Sequence, residues 1–308
     1  MPENVAICPA EALICPPTMS PVTSRVSEDN RPFTRHYSPR PPRLKSSNPS
    51  RLRRPADPDL RRRHVTLLKE LRLAEQVQRS MLPRTLPSLP TLEFGAALRP
   101  SQHLAGDFYN VVRLDQDRVG FYLGDVMGHG PAAALLGVFA MQGLRTKRIE
   151  GSSYEILSPA AVLTGLSRDL IHADFYESPF VTMIYAVLDT SNNILVYSCG
   201  GHPPAILMRE GEAPSLLNCR SPLLGIFDVP FDQAEITLEL GDRVAMFSDG
   251  VESMIWGEFG EGVDGLIKAL EIRDGRSPQS LIDAAMAMAE PGAGPPDDLT
   301  VVMVEMRR

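Results

Sequence analysis

The sequence predicts an α+β domain, a two-sheet β-sandwich flanked by helices, and three observations carry that expectation. Nine short β-like runs follow one another through brief turns between residue 92 and the C-terminus. Helical stretches come in pairs instead of alternating with every strand, which argues against a doubly wound parallel sheet. No segment repeats at a fixed period, so a solenoid or propeller is not expected.

Composition narrows the class before any element is placed. At 308 residues with 43% apolar and 22% charged side chains, the chain reads as an ordinary soluble protein. No apolar run approaches the roughly 20 residues a membrane span needs, and no basic flank with an apolar stretch marks a secretory leader. The four cysteines, Cys8, Cys15, Cys199 and Cys219, make no C-x-x-C pair and no zinc spacing. None is followed by arginine six positions on, which excludes a Cys-based phosphatase loop. Free thiols in a reducing cytoplasm are the expectation. The net charge of −7 is unevenly spread, with a basic N-terminal stretch ahead of a more acidic remainder. No nucleic-acid reading module accompanies that stretch, so specific binding to DNA or RNA is not expected.

Residues 1–57 hold eleven of the 28 prolines together with many Ser and Arg and no sustained apolar period. Such a segment buries too little apolar surface to offset its ordering entropy, and a disordered tail is expected. From residue 58 to 83 the pattern changes. Leu60, Leu67, Leu68, Leu71, Ala74, Val77, Gln78 and Met81 recur at three- and four-residue spacing, and Pro83 closes the run. This is an amphipathic helix, able to dock on the following domain or to pair with a second copy.

The remaining domain, 84–308, carries the expected strands at 92–98, 111–114, 119–123, 181–188, 194–199, 205–208, 236–240, 243–247 and 299–306. Helices are expected at 132–147, 159–173, 263–270 and 278–289. The turn Gly124-Asp125-Val126-Met127-Gly128-His129-Gly130 joins the strand at 119–123 to the helix that opens at Pro131. Its glycines let main-chain carbonyls approach a ligand closely.

Acids stand at four places where expected strands begin or end: Asp107 after Ala105-Gly106, Asp125 after Gly124, Asp249 in Ser248-Asp249-Gly250, and the Asp297-Asp298 pair before Leu299-Thr300. One such Asp is usually a turn or cap residue. Four gathered at a core would repel one another unless cations neutralise them. An oxygen-only donor set favours Mg²⁺ or Mn²⁺ over zinc or copper. Two such ions bridged by a carboxylate suit an in-line displacement at phosphorus. No Walker A, dinucleotide-binding fingerprint or G-x-S-x-G elbow competes.

In this order and spacing the acids resemble the metal-dependent Ser/Thr protein phosphatases of the PPM family, in its bacterial SpoIIE/RsbU-type branch. The resemblance also runs through Glu75-Gln76-Val77-Gln78-Arg79-Ser80-Met81-Leu82-Pro83, Phe180-Val181-Thr182-Met183, Gly200-Gly201-His202-Pro203-Pro204 and Pro222-Leu223-Leu224-Gly225. It implies a protein phosphatase binding two Mn²⁺ or Mg²⁺ ions, with direct attack of an activated water and no phosphoenzyme. Asp125 would bridge the metals, the Val126 carbonyl would join one of them, and Asp107 would support the centre directly or through water. Asp249 and Asp297 would complete it, with Asp298 the neighbour able to replace Asp297; Asp125 and Asp249 are the residues whose loss should abolish catalysis. His129 and His202 would have structural or hydrogen-bonding parts. Ala105, Asn110 and Met127 depart from the family pattern without removing a proposed ligand, and no arginine matches the one eukaryotic relatives use to hold phosphate. The implied substrate is a phosphorylated STAS-type anti-sigma-factor antagonist in partner-switching signalling, with a separate activator protein or a homodimer through residues 59–82 as regulators. A catalytically silent binding module and a small-phosphoester hydrolase are the alternatives.

Overall fold

The computed structural model describes residues 58–175, 178–272, 275–292 and 297–307. The tail at 1–57, with Cys8 and Cys15, lies outside the described residues. Helix α1 (Pro58–Met81) precedes strands β1 (Leu92–Arg99), β2 (Phe108–Arg113) and β3 (Arg118–Val126). Helix α2 (Pro131–Gly143), the hairpin β4 (Lys147–Glu150) and β5 (Ser153–Ile156), and helix α3 (Pro159–His172) follow. Next come β6 (Val181–Asp189), β7 (Ile194–Gly200), β8 (Ala205–Met208), β9 (Ser215–Leu217), β10 (Ala234–Thr237), β11 (Arg243–Phe247) and β12 (Met254–Trp256). The chain closes with α4 (Gly262–Leu270), α5 (Pro278–Met288), β13 (Ala289–Pro291) and β14 (Leu299–Met306).

Two five-stranded sheets, β1-β14-β11-β8-β9 and β10-β7-β6-β3-β2, form the sandwich. Their main ladders are antiparallel, and the central strands are buried on both faces. Val119, Phe121 and Leu123 of β3 meet Val302, Val304 and Met306 of β14 in the core between the sheets. The intervening residues face outwards. Tyr122 and Val126 lie under α2 and α3, whereas Val301 and Met303 lie under α4 and α5. Three apolar cores therefore separate four layers, helices–sheet–sheet–helices, as the sequence implies.

Helix α2 buries a face of Ala133, Ala134, Gly137 and Ala140. Small side chains bring it close to the sheet, so that a Cβ placed on Gly137 would lie 3.3 Å from the Phe108 ring. Pro159 and Pro278 open α3 and α5 beside capping serines, Ser158 and Ser277, whose hydroxyls accept the backbone N–H of Ala161 and Ser280.

Several boundaries differ from expectation for local reasons. The helix expected to 147 stops at Gly143, where Leu144 is extended, and the chain turns into the β4–β5 hairpin around Gly151. Strand β2 starts at Phe108, earlier than expected, because it follows the full ladder with β3 from Phe108↔Gly124 to Arg113↔Val119. The short β9, β12 and β13 carry only three residues each, too few for a periodic signal. The stripe on α1 is narrower than its sequence implies. Leu68, Leu71, Ala74, Gln78 and Met81 are partly covered, whereas Leu60, Leu67 and Val77 stay exposed. Among the described residues no helix is long and apolar enough to cross a membrane.

The outer core beneath α3 can be tested directly. Leu163, fully buried there, should cost about 2–5 kcal/mol when cut to Ala. Leu135 on α2, 72% exposed, should cost no more than about 0.5 kcal/mol. Urea unfolding of the two variants reads the difference.

Candidate metal centre

The acids converge at one end of the sandwich. The β2–β3 register pairs Phe108 with Gly124, so one further step sets Asp107 opposite Asp125. On its other edge Asp125 pairs with Thr182 of β6. The facing sheet supplies the rest: β11 ends at Phe247 opposite Val301, and the Ser248 N–H donates to the Thr300 carbonyl at 3.0 Å. Asp249 and the Asp297–Asp298 pair flank that last rung.

Burial grades the acids from floor to mouth. Asp107 and Asp298 are 2% and 3% exposed, Asp125 is half-buried, and Asp249 and Asp297 are exposed. On the floor, the Thr300 hydroxyl donates to Asp107 Oδ2 at 2.5 Å. Ser248 Oγ donates to the Asp298 carbonyl at 3.1 Å and accepts the Thr300 N–H at 3.0 Å. Asp298 accepts two backbone N–H groups, from Ser101 on Oδ1 at 2.7 Å and from Gly106 on Oδ2 at 2.6 Å. The same loop is held from outside by Gln78 of α1, whose amide accepts from Ala105 N at 3.1 Å and donates to Ala105 O at 2.7 Å.

Two glycines make the closure possible. A Cβ on Gly250 would lie 2.1 Å from the Asp298 carbonyl oxygen, so any side chain there would push the Asp249 and Asp298 segments apart. A Cβ on Gly106 would lie 3.0 Å from the Val126 carbonyl oxygen and 3.2 Å from that of Gly128. Those main-chain oxygens thus face the segment that carries Asp107.

Electrostatics follow from the crowding. Burial, then the charges of Asp249, Asp297 and Asp298, push the Asp125 carboxyl up to about 7, against a hydrogen bond with Asp107. Asp107 is raised well above the usual carboxylate range by burial and by Asp125, with the Thr300 and Ser248 hydroxyls opposing. Asp249 is raised by burial, Asp297 and Glu252. The charges acting on all three are carboxylates. Oxygen-only donors that destabilise one another fit hard divalent cations. Among the described residues no three His, Cys, Asp or Glu side chains close into a ready cage.

The two motif histidines separate. His202 is buried, with Nδ1 2.9 Å from the Thr182 hydroxyl, and its Nε2 has no hydrogen-bond partner among the described residues. Burial pushes the ring down to about 3, with the Phe247 carbonyl opposing. His202 is therefore neutral near neutral pH and braces Thr182 of β6, the residue paired with Asp125. His129 is exposed, its Nδ1 3.3 Å from Gln102 Nε2. Sequence reasoning assigned no role to Ser101, Ser248, Thr300 or the Gln78 amide. Ser248 and Thr300 stood inside quoted motifs, but hydroxyls that serve a neighbouring acid carry no signal of their own.

A four-layer sandwich with acids converging at one end of its paired sheets is the architecture of PP2C-type phosphatase domains. The PP2C domain of SiaA from Pseudomonas aeruginosa superposes with a TM-score of 0.64 at 21% identity, over 80% of this chain and 97% of that one. The PP2C domain of SpoIIE from Bacillus subtilis, with a fragment of its regulatory domain, gives 0.57 at 20% identity, over 70% and 63%. RsbX in complex with magnesium gives 0.54 at 12% identity, over 72% and 98%. The family model for stage II sporulation protein E (SpoIIE) matches residues 115–307, and the chain belongs to that family. The phosphoserine phosphatase RsbU of Bacillus subtilis (strain 168) is 30% identical over 187 residues, covering 59% of this chain and 53% of the relative. The phosphoserine phosphatase RsbP of the same strain is 29% identical over 188 residues, covering 59% and 45%. The chain spans about half the length of the curated relatives it matches.

The raised acids imply a measurable pH dependence. Native Asp125 holds its proton up to about pH 7, whereas the unfolded chain releases it near pH 4. The native state therefore binds more protons between those values, and chelator-treated protein should lose stability as pH rises from 5 to 8. A loss of up to a few kcal/mol is expected, flattened in Asp125→Asn; chemical unfolding at each pH measures it.

Proposed function

We propose that this domain is a Mn²⁺- or Mg²⁺-dependent protein phosphatase acting on phosphoserine or phosphothreonine. The observation that carries the reading is the convergence of Asp107, Asp125, Asp249 and Asp297 at one sandwich end, with burial and neighbouring carboxylates raising Asp107, Asp125 and Asp249, in a SpoIIE-family chain. In this reading two ions would be held by Asp125 as their shared ligand, and the Val126 carbonyl would join one of them. Asp107 supports the pair from the floor, and Asp249 and Asp297 complete it at the mouth. Bound there, the cations supply Lewis-acid charge for the phosphoryl oxygens and lower the pKa of a water.

The chain's own residues do the rest. The hydroxyl of Thr300 orients Asp107, and the exposed Asp249 and Asp297 stand where a phosphoryl group enters. His202, neutral and buried, holds geometry and moves no proton. The RsbU-type resemblance, with relatives named phosphoserine phosphatases, supports a phosphorylated STAS-type anti-sigma-factor antagonist as the substrate. Exposed Leu60, Val65, Leu67, Leu73 and Val77 on α1 support pairing with a second copy through residues 59–82, or capture of a separate activator protein.

Purified protein should release phosphate from p-nitrophenyl phosphate with Mn²⁺ or Mg²⁺ and not with a chelator. Asp125→Asn and Asp249→Asn should fall to background while keeping the wild-type circular dichroism. Full activity in either variant sinks the assignment. Competition between a phosphoserine peptide and p-nitrophenyl phosphate separates a protein phosphatase from a small-phosphoester hydrolase.

The pairing of α1 has its own readout. Leu60→Glu with Leu67→Glu should convert a sedimenting dimer to monomer without changing the unfolding midpoint. Wild-type protein that sediments as a monomer at all concentrations removes the dimer.

A further inference from the structure

We propose that Asp298 is a positioning residue and not a metal ligand: its carboxylate clamps the loop that delivers Asp107 to the candidate metal centre. This deepens the phosphatase reading and rests on it, because the clamp matters to catalysis only if Asp107 supports bound metal.

Asp298 follows Asp297 at the start of β14 and has the strand parity of Thr300, Val302 and Val304, which face the core between the sheets. Its side chain crosses to the segment before β2, where Oδ1 accepts from Ser101 N at 2.7 Å and Oδ2 from Gly106 N at 2.6 Å. Both oxygens are thus engaged by main-chain donors at short distances, and the residue is 3% exposed. Two of its roughly four lone-pair sites are taken, and both bonds turn the carboxylate towards the 101–106 backbone and away from the exposed mouth where Asp249 and Asp297 stand.

What it holds is specific. The two donors bracket residues 101–106, and Gly106 is the residue immediately before Asp107. That backbone lies close to the Val126 and Gly128 carbonyls, where a Cβ at 106 would sit 3.0 and 3.2 Å from their oxygens. On the next rung Thr300 Oγ1 donates to Asp107 itself. One strand end therefore fixes the main chain through Asp298 and the side chain through Thr300. The remaining freedom of Asp298 is removed by Ser248 Oγ on its carbonyl and by its own N–H, which donates to Asp297 Oδ1 at 2.8 Å. The adjacent acids divide the work: Asp297 is exposed at the mouth, and Asp298 is consumed as structure for a different acid on the opposite sheet.

The experiment uses the full chain as wild type, Asp298→Ala, Asp298→Asn and Asp297→Asn. Isothermal titration with MnCl₂ gives metal affinity without turnover. Hydrogen exchange of peptides spanning 100–107, read by mass spectrometry, reports the loop. Asp298→Ala should weaken Mn²⁺ binding by about 10- to 100-fold, the usual effect of losing a group that orients a ligand, and should speed exchange in 100–107. Asp298→Asn keeps one oxygen for one of the two N–H groups and should fall between. Asp297→Asn should weaken Mn²⁺ while leaving exchange in 100–107 as in wild type. If the alanine variant does not fold, the asparagine variant decides. Unchanged exchange overturns the clamp; faster exchange with unchanged Mn²⁺ affinity overturns the positioning role. Wild-type protein that takes up no Mn²⁺ removes the phosphatase reading, and this proposal with it.

Discussion

Repulsion among carboxylates at one end of a dry sandwich is the constraint on which the rest of this structure depends. Two sheets, each ordered by antiparallel ladders, finish their central strands at the same edge. The strand ends deliver Asp107 and Asp125 from one sheet and Asp249, Asp297 and Asp298 from the other. Left to themselves such groups would move into solvent, because each raises the cost of ionising the next. They are kept together by cores that tolerate no slippage. A one-residue shift of β3 against β2 or β6 would turn Phe121 and Leu123 out of the core between the sheets and move Asp125 to the other face.

The acids are not equivalent, and burial separates their parts. At the mouth, Asp249 and Asp297 are exposed, and the Asp297 charge still raises Asp249. On the floor, the Thr300 hydroxyl donates to Asp107 and opposes the burial and the Asp125 charge that raise it. Asp125 lies between, with burial and three carboxylates raising it. A gradient of this kind suits a site that admits a charged group from outside and holds cations inside. His202 is part of the frame: a neutral ring whose Nδ1 meets Thr182, directly across from Asp125 in the ladder.

Helix α1 enters the same frame from outside. Its N-terminal half is solvent-exposed, and cover begins only near Leu68. Close to the helix end, the Gln78 side chain completes the backbone hydrogen bonds of Ala105. The loop at 101–106 is thus gripped on one side by a helix and on the other by Asp298 of β14. Gln78 holds Ala105, two residues before Asp107, and Asp298 holds Gly106, one residue before it.

The strands from 92 to 126, 181 to 208 and 299 to 306, the paired helices and the acids that stand at strand ends were legible in the chain, because each is a local pattern. Alternating apolar residues mark a half-buried strand, proline after serine marks a helix start, and an Asp beside glycine marks a turn. Such patterns also told which residue types could meet a hard cation. The β4–β5 hairpin was not legible: its strands are largely exposed and carry no buried face to read. Nor could the sequence distinguish the two acids of Asp297-Asp298, which are neighbours in one dimension. Only the tertiary structure separates them. The pleat of β14 sends Asp298 inwards to the Ser101 and Gly106 N–H groups, nearly 200 residues away in the chain, and leaves Asp297 at the surface. Local spacing determines what each segment is; which buried donors an acid meets depends on the packing of one sheet on the other.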